Sequence, residues 1–511
     1  MPARTQTNDT HPVLDAARPA AAVAGRAQLR GRVAASSRAG AAWCAAVLAL
    51  LVFGGSSHQG RRAVERDLAN GTFHLTPASA VGAVRAYLNN EDDMYRCHAY
   101  AQAILGRPYR GYFVRPRRSW DGAFARGVAT DPDETPMVTP AAPLVPYRDF
   151  LLEYPPGFLL ILLPPALVAS TADGYALGFK VEMATFLVVC LLGARRLLRA
   201  QGGDADARGR LAGAFAASVF ALGVVCTHRF DAFVAACTVV GIVAAVSGRS
   251  LAAGAAIGLA VATKGVPGLV VPALLTYVHA QRGGAAARRL SLGLLVVAGG
   301  LLGGAWLIGG DGLVEAFAYH RDRPIQIEST AGALLELGNA IRPGLVTVVH
   351  SFSSRNLRGP IVGPAGAISL AVTSLALVIL TIGSVRRIRA ALTPEARLTA
   401  TVDAAVVVLA AYATLGKVFC PQYIVWFLPF ALVAAFASGR SARRRGVGLG
   451  VLAATQIIYP ISYEALKAMA PAAALLVLAR NLITLGWAVT LLCPRSCCTG
   501  SIASVEAGAK T

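Results

Sequence analysis

Apolar runs about twenty residues long recur along this chain of 511 residues, and no other feature limits its fold so severely. Ile361–Gly383 carries no charge, and Ala472–Cys493 carries only Arg480. Helices of that length span the ~30 Å hydrocarbon core of a bilayer. In hydrocarbon only helices and closed barrels satisfy every backbone N–H and C=O. Charged residues make up 15% of the chain, against about 25% in a soluble domain, and the mean hydropathy is +0.56. Soluble, disordered and fibrous classes are thereby excluded. The expected fold is all-α, a polytopic transmembrane helical bundle.

A net charge of +21 could signal nucleic acid, but its distribution argues otherwise. Nearly all of it is Arg in short clusters between apolar runs: Arg195/Arg196/Arg199, Arg288/Arg289, Arg386/Arg387/Arg389 and Arg443/Arg444/Arg445. Such clusters are retained on the cytoplasmic side during insertion. Thirteen apolar runs can be counted from Ala39–Gly54 to 470–493, among them 266–280, 291–308 and 446–461. If all thirteen span, the clusters fall on the wrong side. If Gly157–Ser170, short and flanked by Pro155-Pro156 and Pro164-Pro165, is re-entrant or interfacial, every cluster falls inside. About twelve spans result, with both termini cytoplasmic. The Ala/Gly/Arg-rich, Lys-poor usage has the look of a GC-rich bacterial gene, hence a bacterial plasma membrane.

The expected organisation is a cytoplasmic tail at 1–38, a transmembrane domain at 39–493 and a second tail at 494–511. Within the domain lie a first extracytoplasmic loop at 57–156, the non-spanning helix at 157–171, and a second large loop at 309–360. No internal repeat or inverted symmetry of the transporter kind is visible. Four of the five lysines (Lys180, Lys264, Lys417 and Lys467) fall on the outer face, and only Lys510 does not. The nine cysteines form no disulfide framework, and Cys493, Cys497 and Cys498 read as an inert tail.

Five constellations concentrate on that outer face. Glu91-Asp92-Asp93, ahead of Tyr95, offers a general base or a cation site, or simply acids in a helix's first turn behind Asn89-Asn90. Tyr147-Arg148-Asp149-Phe150 and Glu153-Tyr154-Pro155-Pro156-Gly157 are functional polar residues or ordinary interface anchors. His228-Arg229-Phe230-Asp231 lies between two apolar runs, where ionisable groups are costly unless paired or functional. Lys264 and Lys417 each interrupt an apolar stretch just before a proline, as point charges for an anion or as snorkelling side chains. His320–Ser329 is dense in hydrogen-bonding groups and suits a sugar pocket or a solvated loop. No Walker loop, dinucleotide fingerprint, nucleophile elbow or metal-ligand spacing is present.

Taken in order, these residues resemble the integral-membrane glycosyltransferases of the GT-C superfamily, and most nearly glycosyltransferase family 87, the polyprenyl-phosphate-mannose type. The resemblance rests on the acid cluster with Tyr95, Gly106-Arg-Pro-Tyr109, Pro146–Phe150, Glu153–Gly157, Arg229-x-Asp231, Lys264-x-x-Pro267, Arg323–Ser329 and Pro421-Gln422-Tyr423 with Trp426. It implies inverting transfer of a mannose-like hexose or pentose from a polyprenyl-phosphate donor to a glycan or glycolipid acceptor of the cell envelope, at the extracytoplasmic face. An acid of the first loop would be the base: Asp92 or Asp93, with Glu91 also in register. Lys264, Lys417 and Arg229 would neutralise the donor phosphate. Tyr95, Glu153, Asp231, Gln326, Glu328, Gln422 and Tyr423 would orient sugar or acceptor. No cofactor and no resident metal are implied, although a divalent cation stays open; nucleic acid is not a partner. The residues between Tyr109 and Pro146 depart from the family's spacing, so the acceptor does not carry over. A transporter or flippase for lipid-linked saccharides is the alternative, and midplane ionisable groups with pseudo-symmetry would mark it.

Overall fold

The computed structural model describes residues 92–111, 114, 137–437, 450–452 and 454–492, with 42 and 45–47. Both expected tails, Glu91, most of Ala39–Gly54, the Arg443–Arg445 cluster and Cys493, Cys497 and Cys498 lie outside the described residues. Asp92 is described in backbone only.

The described residues are mostly helical (77%), and among them there is no closed sheet. Helix α1 (Asp92–Ile104) opens on acids that complement its dipole. A minimal ladder pairs β1 (Tyr109–Arg110) with β2 (Met137–Val138). Pro155 and Pro156 then open a 3₁₀ turn at Pro156–Phe158, which runs into α2 (Leu159–Val168). With ten residues α2 is about 15 Å long, half of a bilayer's hydrocarbon thickness. Thr171 caps α3 (Ala172–Ala200), and Asp204 caps α4 (Ala205–Leu222). Then come α5 (Asp231–Val246), α6 (Ser250–Lys264) and α7 (Val271–Gly309).

Among the described residues six helical stretches are long and apolar enough to cross a membrane: 172–200, 205–226, 266–309, 362–390, 394–415 and 471–489, and apolar helices of this kind suggest a membrane protein. Shorter apolar helices accompany them at 156–168, 231–246, 250–264 and 421–436, and most of the first expected run, Ala39–Gly54, lies outside the described residues. The runs 266–280 and 291–308 are two helical stretches that meet at Gly283, whose φ 77° and ψ 179° are not helical, and this turn sets Arg282 beside Gly248 and Leu290 beside Gly254. α5 and α6 have 16 and 15 residues, below the usual spanning length.

The 309–360 segment is built rather than open. It holds α8 (Asp311–Asp322), α9 (Thr330–Ile341), capped by Ser329, and an antiparallel hairpin of β3 (Thr347–Ser351) with β4 (Ser354–Arg358). It is followed by α10 (Val362–Ala390), α11 (Pro394–Leu415), α12 (Ile424–Phe436), α13 (Tyr463–Lys467) and α14 (Pro471–Val489). α11 is the innermost helix, with Ala400–Ala411 buried without a break. Because lipid is as apolar as Leu, helices here associate by close packing of small residues. α6 meets α7 in that way: a Cβ on Gly258 would strike the Leu294 backbone at 2.7 Å.

Candidate active site

Elements far apart in sequence converge at one end of the bundle. Asp93, in the first turn of α1, pairs with Arg96 one turn on at 3.0 Å and with Arg229. Arg96 also reaches Glu153 at 2.9 Å and donates to Ser353 Oγ at 2.8 Å. Tyr100, one turn beyond Arg96, donates to the second Glu153 oxygen at 2.7 Å. Burial beside this carboxylate drives the Tyr100 phenol well above its ordinary range. Acid, base and phenol thus alternate along one face of α1, and Glu153, only 3% exposed, is held from two sides.

Arg229 opens a turn whose next two residues build the neighbouring group. Asp231, the first residue of α5, is 1% exposed. It accepts from Lys264 Nζ at 2.7 Å and from Trp426 Nε1 at 2.5 Å. The Lys264 ammonium lies 4.8 Å from the Phe230 ring centre, 5.0 Å from Trp426, 5.1 Å from Tyr423 and 6.0 Å from Tyr154. A cation facing several aromatic rings is stabilised by their quadrupoles. Here that supplements an ion pair almost removed from water. α6 ends at Lys264 because Gly265 takes φ 26° ahead of Val266-Pro267. The proline pair seats Tyr154 on this helix end through Gly157, where a Cβ would fall 2.5 Å from Thr263 Oγ1.

The third group is on the built 309–360 segment. His320 Nε2 lies 2.8 Å from the Glu153 carbonyl, and its ring faces Tyr154. Burial first, with the Arg323 and Lys264 cations behind it, pushes the His320 pKa down against the hydrogen bond to Glu153. Arg323 is enclosed, with Nη2 4.0 Å from Cys420 Sγ and a buried Nε that has no hydrogen-bond partner. Lys417 Nζ donates to the Arg321 carbonyl at 2.5 Å, and burial lowers its pKa. Among the described residues Arg323 and Lys417 have no carboxylate partner within ion-pair distance, whereas Arg96, Arg229 and Lys264 all do. The site therefore holds a surplus of positive charge.

Two backbone strains converge on it. The tip of the β3–β4 hairpin puts Phe352 and Ser353 at φ 50° and 52°, a geometry usually given to Gly or Asn. Arg96 binds Ser353, and the Phe352 ring lies 5.1 Å from that of Tyr319. Tyr147, at φ 67°, donates to the Tyr154 carbonyl at 2.6 Å. Non-glycine residues persist there only when their surroundings hold them, and such strain concentrates at functional sites.

Of the residues expected from sequence, Asp93, Arg229, Glu153, Asp231, Lys264 and Tyr423 share this network. Tyr95 points away from it, its hydroxyl 2.8 Å from Asp173 at the start of α3. Gln326 and Glu328 form an adjoining group: Gln326 Nε2 is 3.2 Å from Glu328, and Cys420 Sγ is 3.4 Å from Gln326 Oε1. Burial pushes Glu328 up to about 7, against the Arg480 and Arg323 cations. Gln422 is half-buried beside Tyr423. The expected phosphate cations are differently disposed than anticipated: Lys264 and Arg229 are already paired with carboxylates, and Lys417 with a carbonyl. Arg96, Tyr100, His320 and Arg323 were not singled out individually. Arg96 carried a signal, lying three residues after Asp93 on a helix face. Arg480, the lone charge of its apolar run, carried another; it donates to the Glu328 carbonyl at 3.1 Å. Among the described residues no group of three or more His, Cys, Asp or Glu could hold a metal ion.

Residues 150–331 match the model of glycosyltransferase family 87, a match consistent with a GT-C-type membrane glycosyltransferase. The match agrees with the resemblance carried by the motifs, and takes in Glu153, Arg229, Asp231, Lys264, His320, Arg323, Gln326 and Glu328. No curated protein matches the chain.

Proposed function

We propose that this chain, a membrane glycosyltransferase by its match to family 87, transfers a mannose-like hexose or a pentose from a polyprenyl-phosphate donor to a hydroxyl of a cell-envelope glycan or glycolipid. Transfer occurs at the extracytoplasmic face of the plasma membrane and inverts the anomeric carbon. Asp93 accepts the acceptor's hydroxyl proton as the oxygen attacks that carbon. The bond from carbon to phosphate oxygen breaks, and polyprenyl phosphate departs with the electron pair. Asp93 is the acid of that cluster whose side chain is described, and its carboxylate meets the Arg229 turn. Two guanidiniums, Arg96 and Arg229, pair with this carboxylate and fix its position.

The observation that carries this reading is the tripeptide Arg229-Phe230-Asp231. Arg229 pairs with Asp93, Phe230 faces the Lys264 ammonium, and Asp231 pairs with Lys264. One turn therefore fixes the spacing between the base and the Lys264 group. Arg323 and Lys417, the cations without a carboxylate, take the phosphate charge; a planar guanidinium suits two phosphate oxygens at once. Lys264 and its rings form the wall against which the sugar rests, and Glu153, Gln326 and Glu328 supply hydrogen bonds to its hydroxyls.

Mass analysis of cell-envelope glycans tests the assignment. A strain lacking the protein should lose one hexose or pentose residue from a glycan, restored by the native chain and not by Asp93→Asn. Unchanged glycans in that strain would overturn it.

A further inference from the structure

A cavity of about 450 Å³ opens between α3, α4 and α5 at the end of the bundle away from the candidate active site. α3 begins beside Tyr95 and runs some 23 residues, about 35 Å, before reaching Arg195. The cavity is lined by Arg195, Arg196, Arg199 and Arg208 at one end, and by Leu192, Val240 and other valines at the other. No carboxylate lines it. Arg196 donates to Ser247 Oγ at 3.3 Å and Arg208 to the Gly203 carbonyl at 2.6 Å, which fixes both side chains. Among the described residues the guanidiniums of Arg195 and Arg199 have neither an ion pair nor a hydrogen bond to the protein. Leu192 and Val240 are 57% and 43% exposed, so the apolar flank is open where hydrocarbon would meet it.

The order of chemistry along the membrane normal is that of a phospholipid. Val189 and Leu192 lie within two turns of the arginines on α3, on the side of the membrane interior. The arginines stand at the helix end, at headgroup depth. We infer that this cavity binds an anionic phospholipid, the phosphate between Arg195 and Arg199 and an acyl chain along Leu192 and Val240. Basic pockets between transmembrane helices take such headgroups. An Arg cluster that also sets topology thereby acquires a ligand. The inference rests on the membrane reading alone and is independent of transferase activity.

Native mass spectrometry of the full chain released from mixed micelles tests it, with phosphatidylglycerol and phosphatidylcholine of matched chains as probes. The native protein should retain phosphatidylglycerol in preference by about 30-fold, the weight of two basic contacts. Arg195→Gln with Arg199→Gln should abolish the preference, while Arg386→Gln with Arg389→Gln should leave it. Val240→Phe narrows the apolar flank without touching a charge, and should reduce retention even if the double variant inserts poorly. Equal retention of both lipids by the native protein would overturn the inference, as would an undiminished preference in the Arg195/Arg199 variant. Displacement of the lipid by millimolar inorganic phosphate would make this a site for the free anion and refute the lipid assignment.

Discussion

The Asp231–Lys264 pair is the most sharply testable part of the site, because its members are unequally protected. Asp231 has a side chain 2% exposed, while that of Lys264 is 17% exposed and faces four rings. Lys264→Met strands the carboxylate, and breaking a buried pair from one side costs about 3–5 kcal/mol. Trp426 Nε1 still donates to Asp231, and a hydrogen bond to a charged group recovers about 1.5–3 kcal/mol. A net loss of roughly 2–3 kcal/mol is expected, with the thioether well accommodated among aromatics. Asp231→Asn leaves the ammonium to the rings, each such contact contributing about 0.5–2 kcal/mol, so its loss should be smaller, ~1 kcal/mol. Removing both charges should cost no more than Asp231→Asn alone. The assay is equilibrium unfolding in mixed micelles across the double-mutant cycle. Strict additivity, or a greater loss for Asp231→Asn than for Lys264→Met, would refute the burial argument.

Three further outcomes follow from the same geometry. Gly157→Ala should destabilise the fold by about 1–3 kcal/mol and lower transfer, since the new Cβ meets Thr263 Oγ1 and the Ala262 carbonyl and lifts Tyr154 off Lys264; unfolding and turnover report both effects. Arg323→Lys keeps the charge but loses the planar fork, so KM for a polyprenyl-phosphate donor should rise about tenfold or more, while an unchanged KM would remove Arg323 from the phosphate site. Glu328 holds its proton to about 7 in the fold, whereas an unfolded chain releases it near 4.5, so stability falls as pH rises between those values. The expected decline is ~3 kcal/mol, and Glu328→Gln should flatten it, as unfolding measured at pH 5 and pH 8 will tell.

Much of the site could be read from sequence because each residue departed from its surroundings. Lysines are rare here and acids rarer in apolar runs, so Lys264 and Asp231 stood out as costly groups needing partners. Their pairing with each other did not, because 33 residues separate them and only the close approach of α5 and α6 unites them. The same limit hid His320, whose ring reaches a carbonyl 167 residues away. Arg323 belongs to a stretch whose sequence suits a sugar pocket and a solvated loop equally, and only the fold brings its guanidinium against Cys420. The helical class followed directly from hydropathy. Hydropathy alone does not separate a 15-residue helix such as α6 from a full crossing, whereas the turn at Gly283 does divide the runs 266–280 and 291–308.

Release of polyprenyl phosphate by the purified full chain in liposomes, supplied with a polyprenyl-phosphate sugar and an envelope acceptor extract, measures the proposed reaction itself. The native protein should release it stoichiometrically with glycosylated acceptor, and Asp93→Asn should release at least ~100-fold less, the usual weight of a positioned general base. Undiminished release by Asp93→Asn, or no release by the native protein with any such donor, would contradict the proposed chemistry.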